Sequence, residues 1–334
     1  MKKLLILIVV LCVATALALP AAIGWLVQDR AERSLRENWP DAELQWQRGW
    51  IRSSVEIDAG AWRGRIELRQ LPLSPPGLLA LSGRITLSEP AAVIELKGSV
   101  SPGLALQLQL DTAAIAVQTQ ALWQWDAPRA VIDTGRDGRL ALDLTAGRLN
   151  VHDALGNRIT LEQPRLRLNV EPESEQSTSI ELQFEASRLD QAPSRLALQA
   201  ESVDREAMAL LLDSGRELAR SEPDSTAAGL AALGALGAWQ QLVAGGLQMR
   251  LAPLELDPAF RLEGTWHPAE RRLDLAGGGP EKTLLDWAEP IIGLQQQLSP
   301  AIARDLARSW LSELQTQVGI HRDAGQLRID IQRP

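Results

Sequence analysis

Between Val55 and Phe184, apolar side chains recur at every second position. Val55/Ile57, Ile66/Leu68, Ile85/Leu87 and Ile94/Leu96 alternate with Glu56, Glu67, Thr86 and Glu95. Leu104, Leu106, Leu108 and Leu110 alternate with Ala105, Gln107 and Gln109. The pattern returns at Leu140/Leu142/Leu144, at Leu166/Leu168/Val170 against Arg165/Arg167/Asn169, and at Ile180/Leu182/Phe184 against Glu181/Gln183/Glu185. A strand turns successive side chains to opposite faces, so this period predicts antiparallel sheet with one dry and one wet face. Turn signals at Ser74-Pro75-Pro76-Gly77, Ser101-Pro102-Gly103, Arg136-Asp137-Gly138 and Leu155-Gly156-Asn157 are too closely spaced for parallel crossovers, which disfavours a doubly wound α/β fold. Residues 45–200 therefore read as a meander of about ten strands, without a strict sequence repeat.

The period changes after residue 203. Strong helix formers fill 204–220 around Met208, Leu211 and Leu212, and Pro223 marks a break. Leu230, Leu233, Leu236, Trp239 and Leu242 follow at near-helical spacing, with Gly234 and Gly237 allowing a neighbour close and Gly245-Gly246 ending the helix. Alternation resumes at Leu247/Met249/Leu251, Leu254/Leu256 and Leu273/Leu275. Gly277-Gly278-Gly279-Pro280 introduces a last helical region, 281–318, expected to divide near Pro290 and Pro300 and to bury Ile302, Leu306, Trp310 and Leu314. Leu327/Ile329/Ile331 closes the chain as a strand. The expected fold class is mainly β with additional helices: an N-terminal transmembrane helix, then an antiparallel, curved or sandwich-like β-rich domain.

Lys2 and Lys3 precede an uncharged, mostly apolar stretch, residues 4–27, long enough as a helix to cross a hydrocarbon core of roughly 30 Å. Pro20 and Gly24 fall toward its far end, and Trp25 sits where a ring would meet headgroups. The lysines favour a cytoplasmic N-terminus, which places the bulk of the chain in the periplasm of a bacterial inner-membrane protein. The competing reading is a cleaved signal peptide, since Ala16-Leu17-Ala18 fits a small-x-small cut site, whereas the apolar run continuing past Ala18 favours a retained anchor. Cys12, with Leu11 before it, makes a poor lipoprotein signal. The organisation expected is a signal anchor over 1–28, a polar neck over 29–44, a β-rich region over 45–203, and a mixed region over 204–334 that completes the same exported domain.

Composition narrows function mainly by exclusion. The chain has 334 residues, a single cysteine and a formal charge of -8, so disulfide scaffolds and multi-cysteine metal sites are ruled out. No basic stripe is present to neutralise phosphates, so no nucleic-acid partner is expected. There are 11 tryptophans against two phenylalanines and no tyrosine. Trp39, Trp46, Trp50 and Trp62 all follow the membrane segment, either as core of the first hairpins or as a lipid-facing surface.

Phosphate-loop, His-Glu-x-x-His and Cys-x-x-Cys motifs are absent. His152, His267 and His321 are far apart in sequence, and Asp133, Asp137 and Asp143 fit no calcium loop, so neither a metal nor a cofactor is expected. Ser53 and Ser54 lack a nucleophile-elbow context and read as residues tolerated on a wet strand edge.

The stretch Trp46-Gln47-Arg48-Gly49-Trp50-Ile51-Arg52-Ser53-Ser54 resembles the aromatic-x-Arg-Gly-aromatic-x-x-Ser signature of the YdgA-like, DUF945 family of proteobacterial envelope proteins. Residues 239–256 and 314–331 fit that family more loosely, and the anchored, alternating strands have a looser similarity to AsmA-like envelope proteins associated with lipid handling. The resemblance implies no catalytic residues. It makes Trp46, Arg48, Gly49, Trp50, Ser53 and Ser54 candidate signature or interface residues. From the residues themselves, the rings can bury large area, Arg48 can face headgroups or a carboxylate, and Gly49 can permit a bulge or close backbone approach. The leading expectation is a membrane-anchored, non-catalytic binding or scaffolding module whose partner is the membrane together with lipid or another envelope protein. The alternative is a lipid-handling protein with an apolar groove in its sheet; a hydrolase ranks third. A scaffold requires helices to cover the dry face fully, whereas a lipid handler requires it to stay open.

Overall fold

The computed structural model describes residues 32, 33, 36, 42–47, 49, 52–70, 79–101, 105–135, 137–188, 192–221, 225–256, 259–317 and 320–333. The expected membrane segment, most of the neck, Leu104, Arg48 and Trp50 lie outside the described residues. Nineteen strands and four long helices are present among those described. The chain divides into two compact units, Met1–Val117 with Trp125–Arg136, and Gln118–Gln124 with Asp137–Pro334.

The first unit is an antiparallel ladder of β1 (Glu43–Gln47), β2 (Arg52–Asp58), β3 (Trp62–Gln70), β4 (Leu79–Leu87), β5 (Ala92–Val100), β6 (Leu106–Thr112) and β9 (Arg129–Thr134), each pairing with the next. The register keeps the dry positions together: Ser53, Leu68, Leu81, Gly98, Leu108 and Ile132 lie in one cross-strand row. On the opposite face runs a charged row of Glu56, Arg65, Arg84, Glu95, Asp111 and Arg129, with ion pairs Arg65–Glu56, Arg84–Glu95 and Arg129–Asp111. These pairs are exposed, so they specify register more than they stabilise. The short strands β7 (Ala114–Gln118) and β8 (Leu122–Asp126) lie where the two units meet in sequence.

In the second unit β10 (Leu140–Thr145) and β11 (Arg148–His152) pair with successive halves of the 15-residue β12 (Arg158–Pro172), whose register shifts between Glu162 and Arg165. The ladder continues through β13 (Ser177–Ser187), β14 (Ser194–Asp204), β15 (Gln248–Leu256), β16 (Phe260–His267), β17 (Arg272–Pro280) and β19 (Gln326–Arg333), with β18 (Ile320–Asp323) on its far side. Fourteen strands precede residue 205, rather than about ten, because short strands such as β7, β8 and β11 carry too few alternations to stand out.

Two helix pairs interrupt this ladder. Helix α1 (Arg205–Arg220) is capped by Asp204, whose carboxylate accepts from the Ala207 N–H at 2.8 Å. Helix α2 (Thr226–Ala244) is capped by Ser225 and ends at Gly245. Together they cover one edge of the dry face, where Val203, Ala207, Leu242 and Leu247 are buried against Ile180, Ala200 and Met249. Helices α3 (Glu281–Gln296) and α4 (Pro300–Gln317) cover the other end, where Leu311, Leu284, Leu285 and Trp287 pack on β15 to β19.

Gly277 to Gly279 lead into the third helix as the end of β17, where a Cβ would stand 1.9–2.3 Å from facing carbonyl oxygens, so only glycine lets the strands approach this closely. Two expectations are corrected here. Pro290 does not divide the third helix. Proline removes one N–H, freeing the carbonyl of Asp286 four residues earlier, and Arg188 Nη1 donates to that carbonyl at 2.9 Å while its guanidinium lies 5.0 Å from the Trp287 ring centre. On α4 the buried face is Ala303, Ala307 and Leu311, and the expected face residues Ile302 and Trp310 are exposed.

Candidate functional site

The signature residues shape a turn. Trp46 of β1 pairs with Val55 of β2, and Gln47 with Ser54. Gly49 lies between the strands, and a Cβ there would stand 2.1 Å from the Arg52 carbonyl oxygen, so no other residue fits without moving the backbone. The Ser53 hydroxyl closes the turn: it accepts from the Gly49 N–H at 3.2 Å and donates to the Gly49 carbonyl at 3.1 Å. Ser53 and Ser54 are both buried, which corrects their placement on a wet edge; a hydroxyl bonded back to its own turn can be buried at little cost. The Trp46 indole N–H is buried without a hydrogen-bond partner among the described residues.

Among the described residues of this turn, the Ser53 hydroxyl is bonded to the Gly49 backbone and no histidine is present. Ser53 and Ser54 belong to the first unit, whereas His152, His267 and His321 sit on β11, β16 and β18 of the second. Among the described residues no three His, Cys, Asp or Glu side chains gather to hold a metal ion.

The second unit carries a cleft lined mostly by charged residues. Glu281, Lys282, Asp286, Glu289, Arg304, Arg308 and Arg322 line a volume of ≈ 700 Å³ between α3, α4 and the β18–β19 hairpin. Arg304 holds Glu289 through two bonds of 2.8 and 2.9 Å, Arg322 holds Glu281 at 2.6 Å, and Lys282 holds Asp286. Each carboxylate is thus matched by a cation, and the Arg304–Glu289 and Arg322–Glu281 pairs join α3 to α4 and to the β18–β19 hairpin.

Beside the cleft, Asp153 organises the β11–β12 turn by accepting from the Leu155 and Asn157 N–H groups at 2.9 Å each. Burial pushes its carboxyl up, but the bonds from Asn157, Leu155 and Gly156 outweigh this and hold it below the usual aspartate value. Asn157 is buried; its amide donates to Asp153 and, at 2.7 Å, to the Leu298 carbonyl that links α3 to α4. Gly293 of α3 packs directly on this amide, and a Cβ there would stand 2.1 Å from Asn157 Oδ1.

The sheet of the second unit also builds an apolar feature. Three cross-strand rows occupy the dry face of β10, β12, β13 and β14: Leu140–Val170–Ile180–Ala200, Leu142–Leu168–Leu182–Leu198 and Leu144–Leu166–Phe184–Leu196. Four strands make this patch roughly 14 Å wide. Every one of these side chains is only half-buried, as are the opposite-face residues Arg165, Arg167, Asn169, Glu181, Gln183 and Glu185. The helix pairs flank the patch and bury its Ile180–Ala200 edge, while the side chains of the two leucine-rich rows are neither in the buried core nor among the exposed apolar residues. On the opposite face Arg165 pairs with Asp143, Arg195 with Glu185 and Arg261 with Glu255, which marks that side as the wet one.

A second apolar surface was not foreseen. Leu230 and Leu233 of α2 are each 65% exposed and Leu236 is 52% exposed, whereas Ala228, Ala231, Ala238 and Leu242 form the buried face. Gly234 meets Ser214 of α1 closely, but Gly237 opens onto empty space. Helix α2 is long and apolar enough to cross a membrane by length and composition. The small residues at 228, 231, 234 and 238 were the available sign that the close-packed side is not the leucine side.

No family model, curated protein or solved structure matches this chain.

Proposed function

We propose that this chain is a membrane-associated, non-catalytic protein that holds lipid acyl chains on the half-buried apolar face of β10 and β12–β14. The observation that carries this reading is the half-burial of the Leu142–Leu168–Leu182–Leu198 row and of the Leu144–Leu166–Phe184–Leu196 row beside it. A scaffold with a closed core calls for these rows to be fully buried, and a leucine surface of this extent that is only half-buried favours an apolar ligand instead. The neutralised carboxylates of the α3–α4 cleft and the backbone-bonded Ser53 give a hydrolytic reading no support. In this reading the uncharged segment 4–27 anchors the chain in a bacterial inner membrane, and the two units stand in the periplasm. The likeness to YdgA-like and AsmA-like envelope proteins rests on the residues named above and remains part of the proposal.

The test is lipid extracted from the full chain after exchange into a non-lipid detergent, compared between wild type and Leu182→Asp by mass spectrometry, with thermal melting of both. The expected result is a lipid retained by the wild type and lost from a variant that still melts cooperatively, since the new carboxylate reaches water on a half-buried face. A wild type free of lipid, or a variant that keeps it, would overturn the reading. Leu198→Asn serves as a second variant if Leu182→Asp does not fold.

A further inference from the structure

The helix with the fewest polar side chains turns three of its leucines to the outside. From Ser225 to Met249 there is no Asp, Glu, Lys or Arg, and only 22% of the most apolar window of α2 is buried. A helix that is apolar all round belongs in a protein core or in lipid, because it has no polar face to give to water. Helix α2 is not enclosed by the core: its buried stripe is Ala228, Ala231, Ala238 and, at its C-terminal end, Leu242, while Leu230, Leu233 and Leu236 point away. That is the reverse of a water-soluble amphipathic helix and matches helices in hydrocarbon, where small residues pack against protein and large ones meet acyl chains.

We propose that α2 lies side-on against the hydrocarbon of a lipid bilayer, with Leu230, Leu233 and Leu236 as the inserted row. The charge pattern selects this occupant over an acidic or basic protein partner, since the outward face has no charge to complement, and the 19 residues of α2 extend roughly 28 Å along a membrane plane. The orientation is side-on rather than tip-first because the α1 end of the hairpin carries Asp213, Arg216 and Glu217, which stay in water. Trp239 caps the row where Gln240 and Gln241 begin; its ring stacks on Trp266 at 5.7 Å, which ties the inserted helix to β16 of the ladder. The inference rests on the reading that the chain is membrane-associated, but not on lipid held by the sheet.

The test uses the full chain reconstituted in phosphatidylcholine vesicles, in a Cys12→Ser background, with an environment-sensitive nitrobenzoxadiazole probe at Leu233→Cys, at Leu230→Cys, or at Glu217→Cys as the aqueous control. Probes at 230 and 233 should emit to the blue of the control, be quenched by doxyl-labelled lipid and resist aqueous iodide, while the probe at 217 does the opposite. Iodide quenching at 230 and 233 in vesicle-bound protein would overturn the inference and leave membrane association standing. Shielding from both quenchers, with energy transfer between labelled copies, would assign the row to a second copy of the chain and equally overturn it. A chain that fails to float with vesicles would overturn the membrane reading itself.

Discussion

The dry face of β10 and β12–β14 and the outward face of α2 are both rich in leucine, yet the sheet rows are half-buried and the helix row is exposed, and each came to its place by a different route. On the sheet, a leucine at every second position has no choice of side, because the pleat sends it to one face and the arginine and glutamate beside it to the other. On α2 there is a choice, since alanine, glycine and leucine are all apolar and any of them can face the protein. The structure turns the small residues inward, where Gly234 and Ser214 bring α1 and α2 close, and leaves the leucines outward. Apolar periodicity therefore locates a face reliably on a strand with polar neighbours, but on a helix with none it locates only a stripe.

The sharpest way to break this comparison is within α2. Leu242→Ala empties a site that is 1% exposed and should cost about 2–5 kcal/mol. Leu233→Ala, at 65% exposure, should stay within about 0.5 kcal/mol in a detergent-free soluble assay of stability. Equal losses in chemical denaturation would mean that the leucine stripe is core after all.

The next effect concerns how α3 is seated beside the half-buried rows. Gly293→Ala drives a methyl group into the Asn157 amide and should cost about 1–3 kcal/mol by overpacking a contact that also holds the α3–α4 link through Leu298. Unchanged unfolding would show that the turn yields freely.

Arg188→Ala should cost about 1–2 kcal/mol, because it leaves the Asp286 carbonyl without its donor and removes the cation from over Trp287. Pro290→Ala restores a helical N–H to the same carbonyl, so the cost of losing Arg188 should shrink in that background. An additive double-mutant cycle would refute the substitution of guanidinium for backbone.

The smallest effect is with pH. The depressed Asp153 carboxyl contributes stability that is complete above the ordinary aspartate range and is lost as pH falls below about 4, through its folded-state value. Asp153→Asn should flatten that acid-side decline while lowering stability at neutral pH; an unchanged acid limb would show that the carboxylate is not differentially stabilised.

Strand existence and facing were legible because Leu166/Arg167/Leu168/Asn169/Val170 and its neighbours alternate strictly. The breaks at Gly245 and before Pro300 were legible from glycine and proline. Pro290 misled because its remedy, Arg188, lies about a hundred residues away and is brought close only by the fold. At the signature, Ser53 looks like any polar strand residue until the Gly49 backbone is in place to receive its hydroxyl. The partial burial of the sheet rows was beyond reach of the pattern, since a leucine row suits a lid of helix and an acyl chain equally well.

The most direct measurement is residue-by-residue photocrosslinking in intact cells, with benzoylphenylalanine placed in turn at Gln183, Leu182, Leu198 and Gln199 of the full chain. Alternating capture of phospholipid, strong at Leu182 and Leu198 and absent at Gln183 and Gln199, is the predicted result. Capture without alternation, or crosslinks at Leu182 and Leu198 to protein alone, would contradict a lipid-holding sheet face.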